Sequence, residues 1–256
     1  MESVTEKKFN KYEARGSYHW KEMLSKDVRV FNAYHQAHYE WILKIAGDLK
    51  GKKVLDIGCG DGVLSYLLAR AGAEVTGIDN DEYGLRYAQE NVARAQQKQT
   101  QKLVYTFVNA SAYEMPFTQD SFDIVVCCEV IEHVQETGKL LAEAQRVLKV
   151  GGKCIFTTPH RLTEFPQDIN HVKEYFPSEM HAMLSEYFKD VQVKQTHHLF
   201  WYSIYIYPFP SMGNRPIGKW FINMLALLFK WNPFMIDYEK PAKLSIFSTL
   251  CAWGSK

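Results

Sequence analysis

The 256-residue sequence predicts an α/β protein, a doubly wound sheet of seven strands, six parallel and one antiparallel, carrying helical and aromatic cap segments. Three observations lead there. Between Lys53 and Thr196 short apolar runs alternate with helix-period patterns, as strands joined by crossover helices do. A glycine-rich turn follows the first of these runs directly. A last apolar run, Leu244 to Ala252, returns after an insertion and is placed to pair with the sixth strand.

Element by element, Lys53 to Ile57 is a short apolar strand, followed by a turn and by Val63 to Ala71 with helical spacing, Gly72 standing at C′. Glu74 to Asp79 is the second strand, and a polar helix runs from about Glu82 to Gln97. Leu103 to Val108 and Phe122 to Cys128 are the third and fourth strands; Val130 to Leu148 reads as a helix stopped by Gly151-Gly152. Lys153 to Thr157, a helix over Ser178 to Phe188, and Val191 to Thr196 complete the alternation. The chain divides into a helical N-terminal cap (1–50), the core (51–198), an aromatic insertion (199–243) with Pro208, Pro210, Pro216, Pro233 and Pro241 around one apolar helix, and the last strand (244–256). In open α/β sheets ligands sit outside the carboxyl ends of the strands, so the loops leaving that edge surround the reaction centre.

Composition bounds the function. With 46% hydrophobic and 23% charged residues the chain builds one generous domain and is no disordered tail. Thirty basic residues against 29 acidic ones leave +1, so no global field recruits nucleic acid or anionic lipid, and only a local patch remains open. The N-terminus is charged without an apolar signal core, and five scattered cysteines form no CxxC or zinc spacing, which suits a reducing, cytoplasmic setting. The apolar stretch Trp220 to Trp231 is interrupted by Asn223 and Lys230 and too short to span a bilayer. Of 36 aromatic residues, 8 fall in 1–41 and 14 in the last 59 positions, so both ends are richer than the middle.

The strongest motif is Val54-Leu55-Asp56-Ile57-Gly58-Cys59-Gly60-Asp61-Gly62. Its glycines let the backbone turn off the strand and let a ligand approach the peptide groups. The spacing is GxGxG rather than the GxGxxG of dinucleotide sites, and Asp56 would repel a pyrophosphate but attract an ammonium. Asp79 ends the second strand, placed to accept from two ribose hydroxyls. With GID, MPFTQDSFDIVVCCEVIEHV and VLKVGGKCIFTTPHR following in order, Lys53 to Thr158 resembles the core of the class I S-adenosylmethionine-dependent methyltransferases. The resemblance implies a Rossmann-like fold with S-adenosylmethionine as cofactor. It implies further that Asp56 binds the methionine ammonium, that Gly58, Cys59 and Gly60 face the methionine part, and that Asp79 holds the ribose with Asn80 beside the adenine. Ala110 and Ser111 take the turn where the family often carries an acidic residue, and Glu129 borders the cofactor.

Methyl transfer needs an aligned acceptor and, for a hydroxyl, removal of a proton. Glu129, Glu132 and His133, at i, i+3 and i+4, fall on one face of the expected helix start, and His160, Arg161 and His171 follow the fifth strand. Two carboxylates with one or two imidazoles are a donor set for magnesium, manganese, iron or zinc, which would lower the acceptor's pKa. The ExxEH element with a later histidine is similar to the quinone-biosynthesis O-methyltransferases and, more distantly, to small-RNA 2′-O-methyltransferases, which implies Glu129, Glu132, His133 and His171 as metal ligands. Against this stands the dipole preference for glutamates in any first helical turn. Without metal, His133 or His171 becomes the general base. His35, His38, His181, His197 and His198 are expected at surface or packing positions, Cys127 and Cys128 in the core.

Phe200-Trp201-Tyr202, Tyr205, Tyr207 and the apolar helix around Trp220 to Phe229 are expected to form a lid and apolar pocket, with peripheral membrane contact or a homodimer interface as other uses of that surface. Tyr12, Tyr18-His19-Trp20 and Tyr34 are placed to close over the cofactor. The expected activity is O-methylation of an apolar or aromatic small molecule, with no nucleic-acid partner. A metal-independent N- or C-methyltransferase and a non-catalytic cofactor-binding or assembly protein remain as alternatives.

Overall fold

The computed structural model describes residues 11–166, 168–207, 217–238 and 245–256. Strands β1 (Lys53–Ile57), β2 (Glu74–Asp79), β3 (Val104–Asn109), β4 (Phe122–Cys128), β5 (Leu148–Pro159), β6 (Lys189–His198) and β7 (Phe247–Ser255) form one sheet in the order β3-β2-β1-β4-β5-β7-β6. β7 runs antiparallel to β5 and to β6, and the other pairs are parallel. The expected doubly wound sheet is therefore present, with the last strand wedged between the fifth and sixth.

Alternation along the central strands builds two apolar layers. Leu55, Ile57, Val125 and Cys127 pack with Leu140, Leu141 and Ala144 of α6 (Thr137–Val147) and with Met180 and Leu184 of α7 (Pro177–Ser185). Val54, Ile124, Val126 and Ile155 meet Ile42 of α3 (Ala33–Ala46), Leu64 and Leu68 of α4 (Val63–Arg70) and Val92 of α5 (Glu82–Gln96). Covering both faces explains why these strands read as unbroken apolar runs. Each fully buried side chain of this kind stabilises the fold by about 1.5–3 kcal/mol. Asp56 shares the face of Val54, and so lies buried beneath α4.

Two expectations change. The helix expected from Val130 begins only at Thr137, because residues 129–136 form a loop whose backbone is partnered elsewhere: Glu132 O accepts from Val172 N and Lys173 N, and Gln135 N donates to the Tyr113 hydroxyl. Glu129 itself takes a left-handed φ of 55°, which no helix accommodates. β5 starts at Leu148 rather than Lys153, an irregularity with Gly151 at φ 75° absorbing the extra residues against β4.

The N-terminal cap contains α1 (Lys11–Arg15), α2 (Tyr18–Leu24) and α3, its first ten positions lying outside the described residues. After β6, α8 (Leu199–Ile206), α9 (Ile217–Phe229) and a 3-10 turn at Pro233–Met235 pack on α3; Pro208, Pro210, Pro216, Pro241 and Leu244 lie outside the described residues. Buried Asn223 is the fastener: its Oδ1 accepts from Ala33 N (3.0 Å) and the Tyr205 hydroxyl (3.1 Å), and its Nδ2 donates to Val28 O (2.8 Å) and Phe31 O. Trp41 Nε1 donates to Phe234 O at 3.1 Å. Among the described residues no helix is long and apolar enough to cross a membrane.

Candidate functional site

The strand order reverses direction between β1 and β4, and at such a switch point the crossovers leave a crevice outside the carboxyl ends. A cavity of about 980 Å³ lies there, at the upper end of what single-ligand pockets occupy. Asp56, Gly58 and Cys59 line it from β1 and its turn, Asp79 and Asn80 from β2, Ala110 and Ser111 from beyond β3, and Glu129, Glu132 and His133 from beyond β4. Tyr12, Tyr18, His19, Tyr34, His35 and His38 of the N-terminal helices and His171 of the loop after β5 complete the wall. Gly60 adjoins it, its amide donating to Asp79 Oδ2 at 2.8 Å.

The turn after β1 needs glycine for two separate reasons. Gly58 and Gly60 have φ of 71° and 50°, and a Cβ on Gly60 would collide with the Tyr12 hydroxyl, one on Gly58 with Val130. The missing Cβ atoms leave room for Val130 on Gly58 and for Tyr12 on Gly60, so that α1 seats on the turn. Tyr12 in turn bonds His19 Nδ1 at 3.2 Å, while Trp20 packs against Tyr66, away from the cavity.

Three carboxyls surround this turn, Asp56 and Asp61 buried and Asp79 half-buried. Burial pushes the pKa of Asp56 up to about 7, although the Ser65 hydroxyl donates to it at 2.6 Å. Burial raises Asp61 to about 6, against bonds from Trp20 N and Ser17 Oγ, and raises Asp79 against amides of Asp81 and Gly60. Carboxyls so disfavoured as anions are suited to a cationic ligand, and Asp79 at the end of β2 to a diol. The residues therefore fit S-adenosylmethionine. Ser111 Oγ accepts from Tyr113 N at 3.1 Å, forming the turn beyond β3 that faces the same space.

Glu132, His133 and His171 come together, each offering a ligand atom within 4.8 Å of the others. His133 Nδ1 faces Asn170 O at 3.1 Å; a carbonyl only accepts, so Nδ1 carries the proton and Nε2 presents its lone pair. His171 Nδ1 faces Glu174 Oε1 at 2.8 Å, which orients that ring in the same sense. Burial, then the charge of Glu129, holds Glu132 well above the usual carboxylate range, and burial lowers His133. Thr158 Oγ1 donates to Glu132 Oε2 at 3.1 Å.

Glu129 does not join that group. Its Oε1 lies 3.4 Å from His38 Nε2, and although burial works against its ionisation, the imidazole opposite brings its pKa below the ordinary value. The shared helical face expected for Glu129, Glu132 and His133 is replaced by a loop that keeps Glu132 and His133 together and turns Glu129 toward His38. His35 and His38, expected as surface or packing positions, line the cavity, with His38 lying against His197 (4.3 Å between centroids). Tyr34, His35 and His38 share one face of α3 at i, i+1 and i+4, a cue that only the docking of α3 makes readable. Half-buried Lys11 is a further residue not foreseen, its ammonium disfavoured by desolvation and favoured by Asp79 and Glu132. His160 and Arg161 are structural: His160 Nδ1 bonds Phe247 O at 2.8 Å, and Arg161 donates to Thr163 O and Glu164 O. Cys127 is a core thiol, whereas Cys128, expected there with it, is half-buried and lines the cavity; burial raises the pKa of both. Among the described residues, none of Phe200, Trp201, Tyr202, Tyr205 and Tyr207 lines the cavity; Trp201, Tyr202 and Tyr205 pack in the cluster on α3, and Phe200 and Tyr207 are exposed.

The profile of the methyltransferase-domain family matches residues 48–203. Among curated proteins, ubiquinone biosynthesis O-methyltransferase of Acinetobacter baylyi is 34% identical over 160 residues, covering 62% of this chain and 64% of that protein. The match thus spans just under two thirds of the relative's length. Among solved structures, the YcgJ protein of Bacillus subtilis superposes with a TM-score of 0.59 at 22% identity, over 87% of this chain and 99% of the other. Phosphoethanolamine N-methyltransferase 2 of Haemonchus contortus, in complex with S-adenosyl-L-methionine, gives 0.64 at 19% identity over 97% of this chain and 60% of its own. The family profile spans more than half of the sequence, and the chain belongs to the methyltransferase-domain family, on the Rossmann-like fold of the S-adenosylmethionine-dependent class I methyltransferases.

Proposed function

We propose that this protein moves the methyl group of S-adenosylmethionine onto a hydroxyl of an uncharged, largely apolar or aromatic small molecule. The observation that carries this reading is one continuous cavity with two chemistries, buried aspartates on the β1–β2 side and a glutamate–histidine set on the β4–β5 side. When bound, the cofactor supplies an electrophilic methyl on a sulfonium. Asp56 and Asp79 hold its ammonium and ribose, the turn at Gly58, Cys59 and Gly60 faces its methionine part, and Asn80, Ala110 and Ser111 flank the adenine.

The β4–β5 side receives the acceptor. Glu132, His133 and His171 are the donor set for a divalent cation of the magnesium, manganese, iron or zinc kind, which when bound would lower the acceptor hydroxyl's pKa. Both imidazoles offer Nε2 because Asn170 O and Glu174 engage Nδ1, the second-layer arrangement that ligating histidines use. Glu129 and His38 form a separate polar pair beside them, able to accept from and donate to the same hydroxyl. The metal-free reading keeps the same residues: His133, neutral by burial, takes the acceptor proton at Nε2.

The test is turnover of labelled cofactor on a panel of phenols and apolar alcohols, with and without chelator. Metal content of the purified protein and its melting temperature on adding each ion give a readout independent of turnover. Loss of rate on chelation, restored by one ion, supports the metal reading; an unchanged rate leaves the histidine base. Methylation only at nitrogen or carbon acceptors overturns the hydroxyl assignment, and tight cofactor binding with no turnover on any acceptor favours a non-catalytic role.

A further inference from the structure

Exposed apolar side chains gather in two stretches, Phe165, Ile169, Val172 and Phe176 after β5 and a larger group after β6. Among the described residues 17 large apolar side chains are exposed, and 7 of them fall between positions 200 and 231: Phe200, Ile206, Tyr207, Phe221, Leu228, Phe229 and Trp231. On α9 the buried stripe is Gly218, Ile222 and Ala226, at i, i+4 and i+8, which fastens the helix to the cluster on α3. The outer stripe, Phe221, Met224 and Leu228 at i, i+3 and i+7, is apolar as well, with Phe221 50% and Leu228 68% exposed. A helix that only packs on a globular core puts polar residues on its outer face.

Charge in the same stretch is one-sided. Residues 191–236 contain no Asp or Glu, the longest such run in a chain with 29 of them; of its basic residues Lys194 is paired with Asp237, whereas Lys219 and Lys230 stand at the ends of α9. Lys219 lies in the first turn of α9 and Lys230 directly follows its last residue, while Trp220 and Trp231 stand near the same two ends. Apolar outer stripes with aromatic residues and lysines at their margins, and no acid among them, complement an anionic lipid surface. A near-neutral protein acquires such a patch only by local segregation.

We propose that the outer faces of α8 and α9 dock this protein peripherally on an anionic bilayer, Phe221 and Leu228 entering the acyl boundary and Lys219 and Lys230 meeting the headgroups. The surface stands on its own observations. Delivery of an acceptor from the bilayer is a consequence that rests on the proposed acceptor class: α3 turns Tyr34, His35 and His38 to the cavity and packs against α8, α9 and Phe234 on its other side.

The full chain is tested by co-sedimentation with phosphatidylcholine vesicles and with vesicles containing phosphatidylglycerol, no cofactor or acceptor being present. Binding at least tenfold stronger to the anionic vesicles and weakened by added salt is expected, with Trp fluorescence shifting to the blue. The Phe221→Ser/Leu228→Ser double variant, at exposed sites, should lose at least tenfold in partitioning, and Lys219→Glu/Lys230→Glu should lose the preference for anionic lipid while melting at the parent temperature. Equal retention of both double variants, or no vesicle binding by the parent chain, overturns the proposal. A concentration-dependent dimer in sedimentation that the Phe221/Leu228 variant abolishes, without vesicle binding, assigns the face to a second copy instead. Because no methyl transfer is measured, these outcomes are separate from success or failure of the acceptor assignment.

Discussion

Replacing Asp56 by asparagine should make the ligand-free protein more stable while weakening its hold on the cofactor. In the unfolded chain Asp56 ionises near 3.8, and burial in the folded protein pushes it up to about 7. Between those values the folded state keeps a proton that the unfolded state has released, so folding becomes less favourable as pH rises through the window. At about 1.4 kcal/mol per pH unit, the penalty is about 2 kcal/mol at pH 5 and reaches about 4 kcal/mol above pH 7. An asparagine there would keep an oxygen for the Ser65 hydroxyl and carry no charge to bury. Urea unfolding without ligand should therefore find Asp56→Asn more stable than the parent, by about 4 kcal/mol at pH 8 and about 2 kcal/mol at pH 5. Calorimetry at pH 8 should find S-adenosylmethionine bound about 10- to 100-fold more weakly, the worth of one charge-assisted hydrogen bond. A stability gap that fails to widen between pH 5 and pH 8 refutes the burial argument, and unchanged cofactor affinity refutes the ammonium contact.

Three further substitutions probe other parts of the structure. Glu174→Gln should loosen the ring of His171 and reduce ion affinity by about 10- to 100-fold, read by competition with a metal-sensitive dye, with little change in cofactor binding. Gly60→Ala, which drives a methyl into Tyr12 at a left-handed φ, should cost about 1–3 kcal/mol and expose α1 to protease; an unaltered digestion pattern would show that α1 does not seat there. Asn223→Ala leaves Ala33 N and the carbonyls of Val28 and Phe31 without their partner, and should cost about 2–4 kcal/mol in thermal unfolding, with faster hydrogen exchange at the start of α3.

The sheet and the β1–β2 side of the site were legible because their signals are local. A five-residue apolar strand, a GxGxG turn and an acid at the next strand's end are each decided by neighbours in sequence. The β4–β5 side was read only in part. Glu132, His133 and His171 do converge, yet the helix supposed to align Glu129 with them is a loop, because Val172 and Lys173 claim the Glu132 carbonyl from far along the chain. Such a long-range backbone bond leaves no periodic trace. The same limit hid His38, whose partner Glu129 is reached only after α3 packs over the sheet edge. The aromatic insertion showed that it must cover something, but its fastening through Asn223 to the backbone of residues 28–33 could not be read from composition.

The position of β7 bears on how the chain folds as it is made. Residues 247–255 come after β6 in sequence but lie between β5 and β6 in space, and the order of the sheet gives β6 no other strand to join. Until those residues leave the ribosome, β5 presents an open edge and β6 waits without a partner. The cofactor-site half, β1 to β4 with its helices, can form from local crossovers much earlier. Synthesis therefore passes through an interval in which a finished half-sheet carries a sticky border, the kind of edge that recruits other chains. A pause or chaperone contact in that interval would protect yield without touching any residue of the cavity.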